Sequence, residues 1–179
     1  MKDSLRFPIL AAVALVAGIG AAYFSSSTVE AAAGNPPKDL SAFYDQSFPD
    51  ASGKEFSFKD YRGKIVVVNF WATWCVPCVE EIPELSRLQT EYKKKNVEFV
   101  GIGIDNAANI AEFQKKVAAS YPLLVAGAHG SELVQSYGDN MGALPYTLVL
   151  DEKGGVRGSK LGAIDVKELR GWLKSATGS

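Results

Sequence analysis

Cysteine and histidine are scarce in this chain of 179 residues, which has two cysteines and one histidine. Cys75 and Cys78 stand three positions apart, and His129 is far from them in the sequence. A structural zinc site needs four ligands, which this set cannot supply, so we expect no metal. The loop between the cysteines is also too short to stabilise the fold much by restricting the unfolded chain. The spacing therefore predicts a disulfide that is made and broken during function.

An excess of charge of either sign is also lacking. The chain has 19 basic and 20 acidic residues, a formal net charge of −1, and no basic run interleaved with aromatic residues. This balance gives no electrostatic reason to expect nucleic acid as a partner. Hydrophobic residues at 47% and charged residues at 22% are typical of a folded globular protein. The length suits one ordinary domain with a short appendage.

One long apolar run is present, at the N-terminus. Residues 7–24 are almost wholly apolar, Lys2 and Arg6 precede them, and the next basic residue is Lys38. This asymmetry predicts a cytoplasmic N-terminus, with the rest of the chain on the far side of a membrane. As a helix, the run would span about 27 Å, close to the roughly 30 Å of a hydrocarbon core.

Two fates of this segment fit the sequence. An uncleaved membrane anchor is favoured by the length of the apolar run and by the long spacer that follows it. Cleavage as a signal peptide after Ala33 is the alternative, because residues 31–33 form a small-residue A-x-A pattern. We therefore predict a signal peptide or anchor in residues 1–24, a linker in residues 25–39 and one folded domain in residues 40–179.

Strand-like and helix-like patterns alternate through that domain. The run at 65–71 is continuously β-branched and aromatic, which is typical of a strand buried on both faces. Apolar residues then recur at spacings of three and four through 76–95, which predicts a helix that Pro83 should kink. We also predict hairpins at 43–58 and 146–161, a strand at 97–104, helices at 106–119 and 165–175, and a short helix with Ser131 as N-cap. This order predicts an α/β fold with a mixed sheet.

The two cysteines lie where the strand at 65–71 gives way to the following helix. Cys75 would open that helix, where unpaired backbone N–H groups and the helix dipole favour an anion. Such a position can lower a thiol pKa from about 8.5 to about 7 or below, so Cys75 is the candidate attacking thiolate. Cys78, more buried, would resolve the mixed disulfide, and Pro77 would stiffen the first helical turn. Trp74 is expected to wall off one side of the thiol, with simple core packing as the alternative.

With these residues in view, the sequence resembles the TlpA/ResA/DsbE branch of the thioredoxin superfamily. The string WATWCVPCxxExP at residues 71–83 carries the resemblance, which extends from about residue 40 to the C-terminus. It implies a thioredoxin fold, a central mixed sheet flanked by helices, with an N-terminal β-hairpin and a βα insertion at residues 105–121. Proteins of this branch are anchored or exported reductants that serve cytochrome c maturation or the copper-site cysteines of cytochrome oxidase. The resemblance thus implies the periplasmic side of the bacterial inner membrane.

The resemblance also bears on two polar residues near the cysteines. Thioredoxins carry a buried aspartate on the strand before the motif, and the matching residue here is Asn69, which cannot ionise. Glu81 matches the acidic residue that this branch places near its thiols, and its spacing from Cys78 puts both on one helix face. If partly buried, its carboxylate would have a raised pKa and would accept the Cys78 proton near neutral pH. A solvent-facing glutamate is the alternative.

Leu144 and Pro145 precede the predicted strand at 146–151. In the superfamily a cis proline stands at this point against the cysteine pair, and the backbone of the preceding residue pairs with an extended substrate. The resemblance therefore assigns both residues to substrate binding. From the sequence alone, a trans proline opening an edge strand is the alternative. We assign no role to His129.

These patterns together predict a thiol–disulfide oxidoreductase whose only redox centre is the Cys75–Cys78 disulfide, without a further cofactor. We expect it to reduce disulfides in exported proteins, with apocytochrome c or copper-protein cysteines as candidates and an inner-membrane protein as electron donor. A dithiol oxidant is an open alternative, because direction depends on the relative stability of the dithiol and disulfide forms. A Cu(I)-binding metallochaperone is another, because soft thiolates suit Cu(I).

Overall fold

Seven strands and four α-helices make up residues 35–178, the part of the chain that the computed structural model describes. The strands are β1 (Ser47–Pro49), β2 (Glu55–Ser57), β3 (Ile65–Trp71), β4 (Val97–Gly103), β5 (Leu123–Val125), β6 (Tyr146–Leu150) and β7 (Val156–Leu161). The helices are α1 (Val76–Tyr92), α2 (Ala107–Gln114), α3 (Gly130–Ser136) and α4 (Val166–Thr177). Short 3₁₀ turns lie at Ser41–Asp45, Phe58–Tyr61, Lys93–Lys95 and Gly127–His129.

The strands form two sheets. β1 and β2 make an antiparallel hairpin, and the other five strands form a sheet in the order β5-β4-β3-β6-β7. β3, β4 and β5 run parallel, whereas β6 is antiparallel to β3 and β7 is antiparallel to β6. The predicted α/β class, the mixed sheet and both hairpins are therefore confirmed.

The five-stranded sheet separates two hydrophobic cores, because successive side chains of a strand point to opposite faces. One face packs against α1, α2 and α4, through side chains that include Val67 and Leu85. The other packs against α3 and the segment before β3, with Val68 in one hydrophobic cluster with Phe43 and Tyr137. β3 is buried along its whole length, which explains its unbroken apolar run.

The N-terminal part of the described chain joins the sheet slightly before the expected boundary at residue 40. Val156 N donates to Lys38 O at 3.1 Å, and Leu40 N donates to Gly154 O at 2.8 Å. The predicted signal or anchor at 1–24, and most of the linker, lie outside the described residues. Within 35–178, no helix combines the length and the apolar character needed to cross a membrane.

Two predictions of local structure were wrong, and one strand was not predicted. The helix predicted at 106–119 is α2, which ends at Gln114 because the chain turns there to return as β5 along the edge of the sheet. β5 was not predicted, since three residues carry too little periodicity. Ser131 lies inside α3 and is not its N-cap, because the 3₁₀ turn Gly127–His129 leads directly into the helix. α1 runs through Pro83 from Val76 to Tyr92, and the kink stays a prediction.

Gly158 of β7 provides a test of how α4 packs on the sheet. A Cβ atom at this position would overlap the indole ring of Trp172, whereas one at Gly171 would meet open space. We expect Gly158→Ala to lower the free energy of unfolding by about 1–3 kcal/mol, the usual cost of overpacking. Gly171→Ala, the control on α4 next to Trp172, should be neutral or stabilising by up to about 1 kcal/mol. Urea denaturation measures both, and unchanged stability of Gly158→Ala would contradict the packing.

Candidate active site

Cys75 and Cys78 lie at the start of α1, directly after the loop that leaves β3. They form a disulfide, and Cys75 is the N-cap residue of the helix. The loop is held at both ends, because Cys75 N donates to Ala72 O at 3.2 Å and Val79 N donates to Cys75 O at 3.1 Å. Pro77 lies in the first turn, where a missing N–H donor costs nothing. This geometry places the Cys75 sulfur at the positive end of the helix dipole.

The two cysteines differ in accessibility. Cys78 is fully buried and Cys75 is 6% exposed, while Trp74 and Val76, on either side of Cys75, are 68% and 66% exposed. An incoming sulfur therefore approaches Cys75 more readily than Cys78. The exposure of Trp74 also excludes the alternative that its ring packs in the core.

Glu81 lies one helical turn after Cys78 and is buried against the sheet. Its Oε1 accepts a hydrogen bond from Asn69 Nδ2 at 2.7 Å, and its Oε2 accepts one from Ile164 N at 3.2 Å. The alternative of a solvent-facing glutamate is therefore wrong. Burial raises the pKa of the Glu81 carboxyl, and the hydrogen bonds from Ile164 and Asn69 oppose that rise without cancelling it. The carboxyl consequently titrates closer to neutral pH than an exposed glutamate.

Asp105 is a buried acid that the sequence patterns did not single out. Its Oδ2 accepts hydrogen bonds from the Thr73 hydroxyl and from Thr73 N, and its Oδ1 accepts them from Asn106 N and Asn109 Nδ2. Burial alone would raise the pKa of Asp105, but these donors outweigh it and hold the pKa below its usual range. Asp105 thus ties the cysteine loop to the start of α2 as a charged group. Its partner Thr73 is 32 residues away, so no local pattern reveals it.

A groove opens beside the same loop, on the side of the insertion at 105–121. Its volume is about 320 Å³, and Phe113, one of its walls, packs its ring 4.8 Å from that of Trp71. The lining residues are Thr73, Asn109, Glu112, Phe113 and Lys116. The groove therefore adjoins the loop that presents Cys75.

The loop before β6 reaches the same end of the sheet. The Leu144–Pro145 peptide bond is cis, as the resemblance implies. Pro145 comes directly before Tyr146, which pairs with Phe70 near the end of β3. Pro145 therefore lies at the end of the sheet where the cysteine loop begins. The buried Asp139 carboxylate organises the loop by accepting hydrogen bonds from Met141 N and Ala143 N.

His129 lies apart from these residues. Its side chain is 90% exposed and its Nδ1 lies 3.6 Å from Glu132 Oε2 on the next turn. Across residues 35–178, no group of three or more histidine, cysteine or acidic side chains is arranged to hold a metal ion.

The arrangement defines a class of protein. A disulfide at the N-terminus of a helix that follows the central strand, at the same end of the sheet as a cis proline before the antiparallel strand, is the site of a thioredoxin-fold thiol–disulfide oxidoreductase.

Comparison with known proteins identifies the family. Residues 32–173 match the Redoxin family, and the chain belongs to it. The thiol-disulfide oxidoreductase ResA of Bacillus thuringiensis (strain Al Hakam) is 34% identical over 129 residues, 72% of each chain. ResA of Geobacillus thermodenitrificans (strain NG80-2) is 29% identical over 176 residues, 98% of this chain and 94% of the relative. The predicted TlpA/ResA/DsbE-like membership and the thiol–disulfide oxidoreductase activity are thereby confirmed.

A solved structure supports the fold. The crystal structure of a putative thiol:disulfide interchange protein DsbE from Chlorobium tepidum superposes with a TM-score of 0.67 at 21% identity, covering 80% of this chain and 98% of that one. The predicted thioredoxin fold is therefore confirmed.

The raised pKa of Glu81 predicts a pH-dependent stability. Because the folded-state pKa lies above the unfolded value of about 4.3, stability from protonated Glu81 is present below about pH 4 and is lost as pH rises through the folded pKa. We expect the free energy of unfolding of the oxidised wild type to fall, relative to Glu81→Gln, as the pH rises from about 4 to neutral. Urea denaturation across this range measures the difference. The control Glu80→Gln, at an exposed position, should follow the wild type, and a constant difference for Glu81→Gln would contradict the prediction.

Proposed function

We propose that the enzyme is a dithiol reductant of disulfides in exported proteins, with Cys75 as the attacking thiolate and Cys78 as the resolving thiol. The observation that carries this proposal is the difference between the two sulfurs. Cys75 lies near the surface at a helix N-terminus, and Cys78 is fully buried one turn before a buried carboxyl. One sulfur is thus suited to meet a substrate and the other to release it.

The first step is attack on the substrate. In the reduced enzyme the helix N-terminus favours the Cys75 thiolate, which attacks one sulfur of a substrate disulfide. The substrate S–S bond breaks, one substrate sulfur leaves as a thiolate and takes up a proton, and a mixed disulfide forms on Cys75.

The second step is resolution. The Cys78 thiol passes its proton to Glu81 and attacks the Cys75 sulfur, which releases the other substrate sulfur as a thiolate. The products are a reduced substrate and the Cys75–Cys78 disulfide, so two electrons have passed to the substrate. Because Cys78 has no contact with bulk water, its proton needs an internal acceptor, and the raised pKa of Glu81 suits that role near neutral pH. A donor dithiol must then reduce the enzyme disulfide.

Substrate binding is proposed around the rim of the site. The exposed side chains of Trp74 and Val76 offer apolar contacts on either side of Cys75, and Leu144 and Pro145 offer backbone for an extended chain. Apocytochrome c and the cysteines of copper proteins remain the proposed substrates, and an inner-membrane protein the proposed electron donor. The apolar segment at residues 7–24 supports a location on the periplasmic side of the inner membrane, anchored or exported.

Reduction potential decides between the proposed reductant and a dithiol oxidant. We expect a potential below about −200 mV for the Cys75–Cys78 couple, in the range of reducing thioredoxin-like proteins. Equilibration with glutathione or dithiothreitol buffers measures this potential, with the tryptophan fluorescence of the protein as the readout. A value near about −120 mV would reject the reductant assignment. The copper alternative would appear as tight 1:1 Cu(I) binding without reduction of insulin disulfides.

Trapping tests the order of attack. We expect Cys78→Ser to accumulate covalent mixed disulfides on Cys75, because the first attack proceeds and the resolving thiol is absent. Cys75→Ser is the matched control and should trap little, since Cys78 is fully buried. Non-reducing gels of cell extracts with mass spectrometry of the adducts provide the readout and also identify substrates. Equal trapping by the two variants would show that the assigned order is wrong.

A further inference from the structure

Asn69 is the side chain through which the central strand contacts Glu81. It is buried, and its Nδ2 donates both to Glu81 Oε1 at 2.7 Å and to Thr147 Oγ1 at 3.1 Å. Its Oδ1 has no hydrogen-bond partner among the described residues. Thr147, on β6 next to Asn69, is also fully buried. A neutral amide and a neutral hydroxyl therefore form the sheet side of the Glu81 site.

The chemistry of these two groups allows them to serve either protonation state of Glu81. An amide has a donor end and an acceptor end, and a hydroxyl can donate or accept. The ionised carboxylate needs a donor, which Nδ2 supplies while Thr147 accepts. The protonated carboxyl has an O–H that needs an acceptor. A half turn of the amide brings Oδ1 to that position, where the Thr147 hydroxyl then donates to it. Nδ2 moves to the place where Oδ1 now has no partner among the described residues.

We propose that Asn69 and Thr147 are positioning residues, an amide–hydroxyl pair that stabilises both protonation states of Glu81 by rotation of the Asn69 amide. The inference rests on the proposed role of Glu81 as acceptor of the Cys78 proton. An ionisable aspartate in place of Asn69 would put two acids in one buried site, where like charges oppose ionisation of both. An aliphatic residue would leave Glu81 with the Ile164 N–H alone.

The other titratable groups that the structure describes around Glu81 do not form hydrogen bonds with its carboxyl. Tyr121 faces it from the segment before β5, and burial, followed by the charge of Glu81, raises the pKa of that phenol, which stays protonated. Asp165, next to Ile164, is exposed and caps α4. On α1 itself, Glu84 pairs with Arg87 at the surface, and Cys78 lies one turn before Glu81. β3 and β6 contribute the neutral pair.

The test is the titration of the Glu81 carboxyl by ¹³C NMR in the oxidised protein, which requires no redox turnover. Hydrogen bonds to a carboxylate are roughly twice as strong as neutral ones, so Asn69→Leu should raise the Glu81 pKa by about one unit. Thr147→Val should give a smaller rise, because the amide is no longer held in place, and Thr147→Ser should restore the wild-type value. The wild-type Asn69 Nδ2 protons should show contacts to the Glu81 side chain above the midpoint and lose them below it.

Kinetics separate this inference from the proposed function. In resolution of a preformed mixed disulfide on Cys75, where Cys75 itself no longer titrates, the acidic limb of the pH–rate profile should move to higher pH in Asn69→Leu and be lost in Glu81→Gln. An unchanged limb in Glu81→Gln would reject the base role of Glu81, whatever the NMR titration shows. The proposed role of Asn69 and Thr147 would be overturned by an unchanged Glu81 pKa in Asn69→Leu. It would also be overturned if the Asn69 contacts did not change across the midpoint of the Glu81 titration. If Asn69→Leu does not fold, the Glu81 pKa is compared between Thr147→Val and Thr147→Ser. Identical Glu81 pKa values in those two variants would overturn the proposed role of the pair.

Discussion

The hydrogen bond from Asn69 to Glu81 joins the central strand to the helix that carries both cysteines. A buried carboxyl cannot be left without partners, because each unpaired polar group in the interior costs free energy comparable to a lost hydrogen bond or more. Asn69 on β3 and Ile164 N before α4 therefore hold α1 against the sheet at one place, and Cys78 lies one turn from it. These hydrogen bonds, together with the apolar packing of α1, hold the disulfide near the end of β3.

Two buried acids near the disulfide have opposite electrostatics. The pKa of Glu81 is raised, because burial outweighs its two donors, whereas that of Asp105 is lowered, because its four donors outweigh burial. When the environments of two neighbouring acids shift their pKa values in opposite directions, the two acids are suited to different roles. Asp105 remains a charged clamp on the loop that presents Cys75, and the raised pKa of Glu81 supports its proposed role as proton acceptor. The same carboxylic acid group thus gives a fixed support on one side of the site and, in the proposed reaction, a titrating group on the other.

The sequence predicted those parts of the structure whose signals are local. The unbroken run of β3, the spacing of apolar residues in α1 and the turn signals of both hairpins each lie within one window, and all were confirmed. β5 and the end of α2 were not predicted correctly, because they depend on pairing at the edge of the sheet and not on a periodic pattern. In the site, the Cys75–Cys78 motif and its spacing to Glu81 are visible along one helix. Thr147 lies 78 residues from Asn69, and Asp105 lies 32 from Thr73, so these contacts exist only once the sheet has formed.

The burial of Cys78 makes the internal network necessary for the proposed reaction. Burial keeps the Cys78 thiol away from external disulfides, but it also removes the water that would otherwise take the resolving proton. An acid placed beside the thiol restores a route for the proton, yet that acid must then be stable in two charge states without solvent. Asp in the place of Asn69 would add a second charge to the site, and Val in the place of Thr147 would leave the amide with one partner fewer. A neutral amide beside an adaptable hydroxyl meets both requirements, which accounts for polar residues at the centre of an otherwise apolar sheet face.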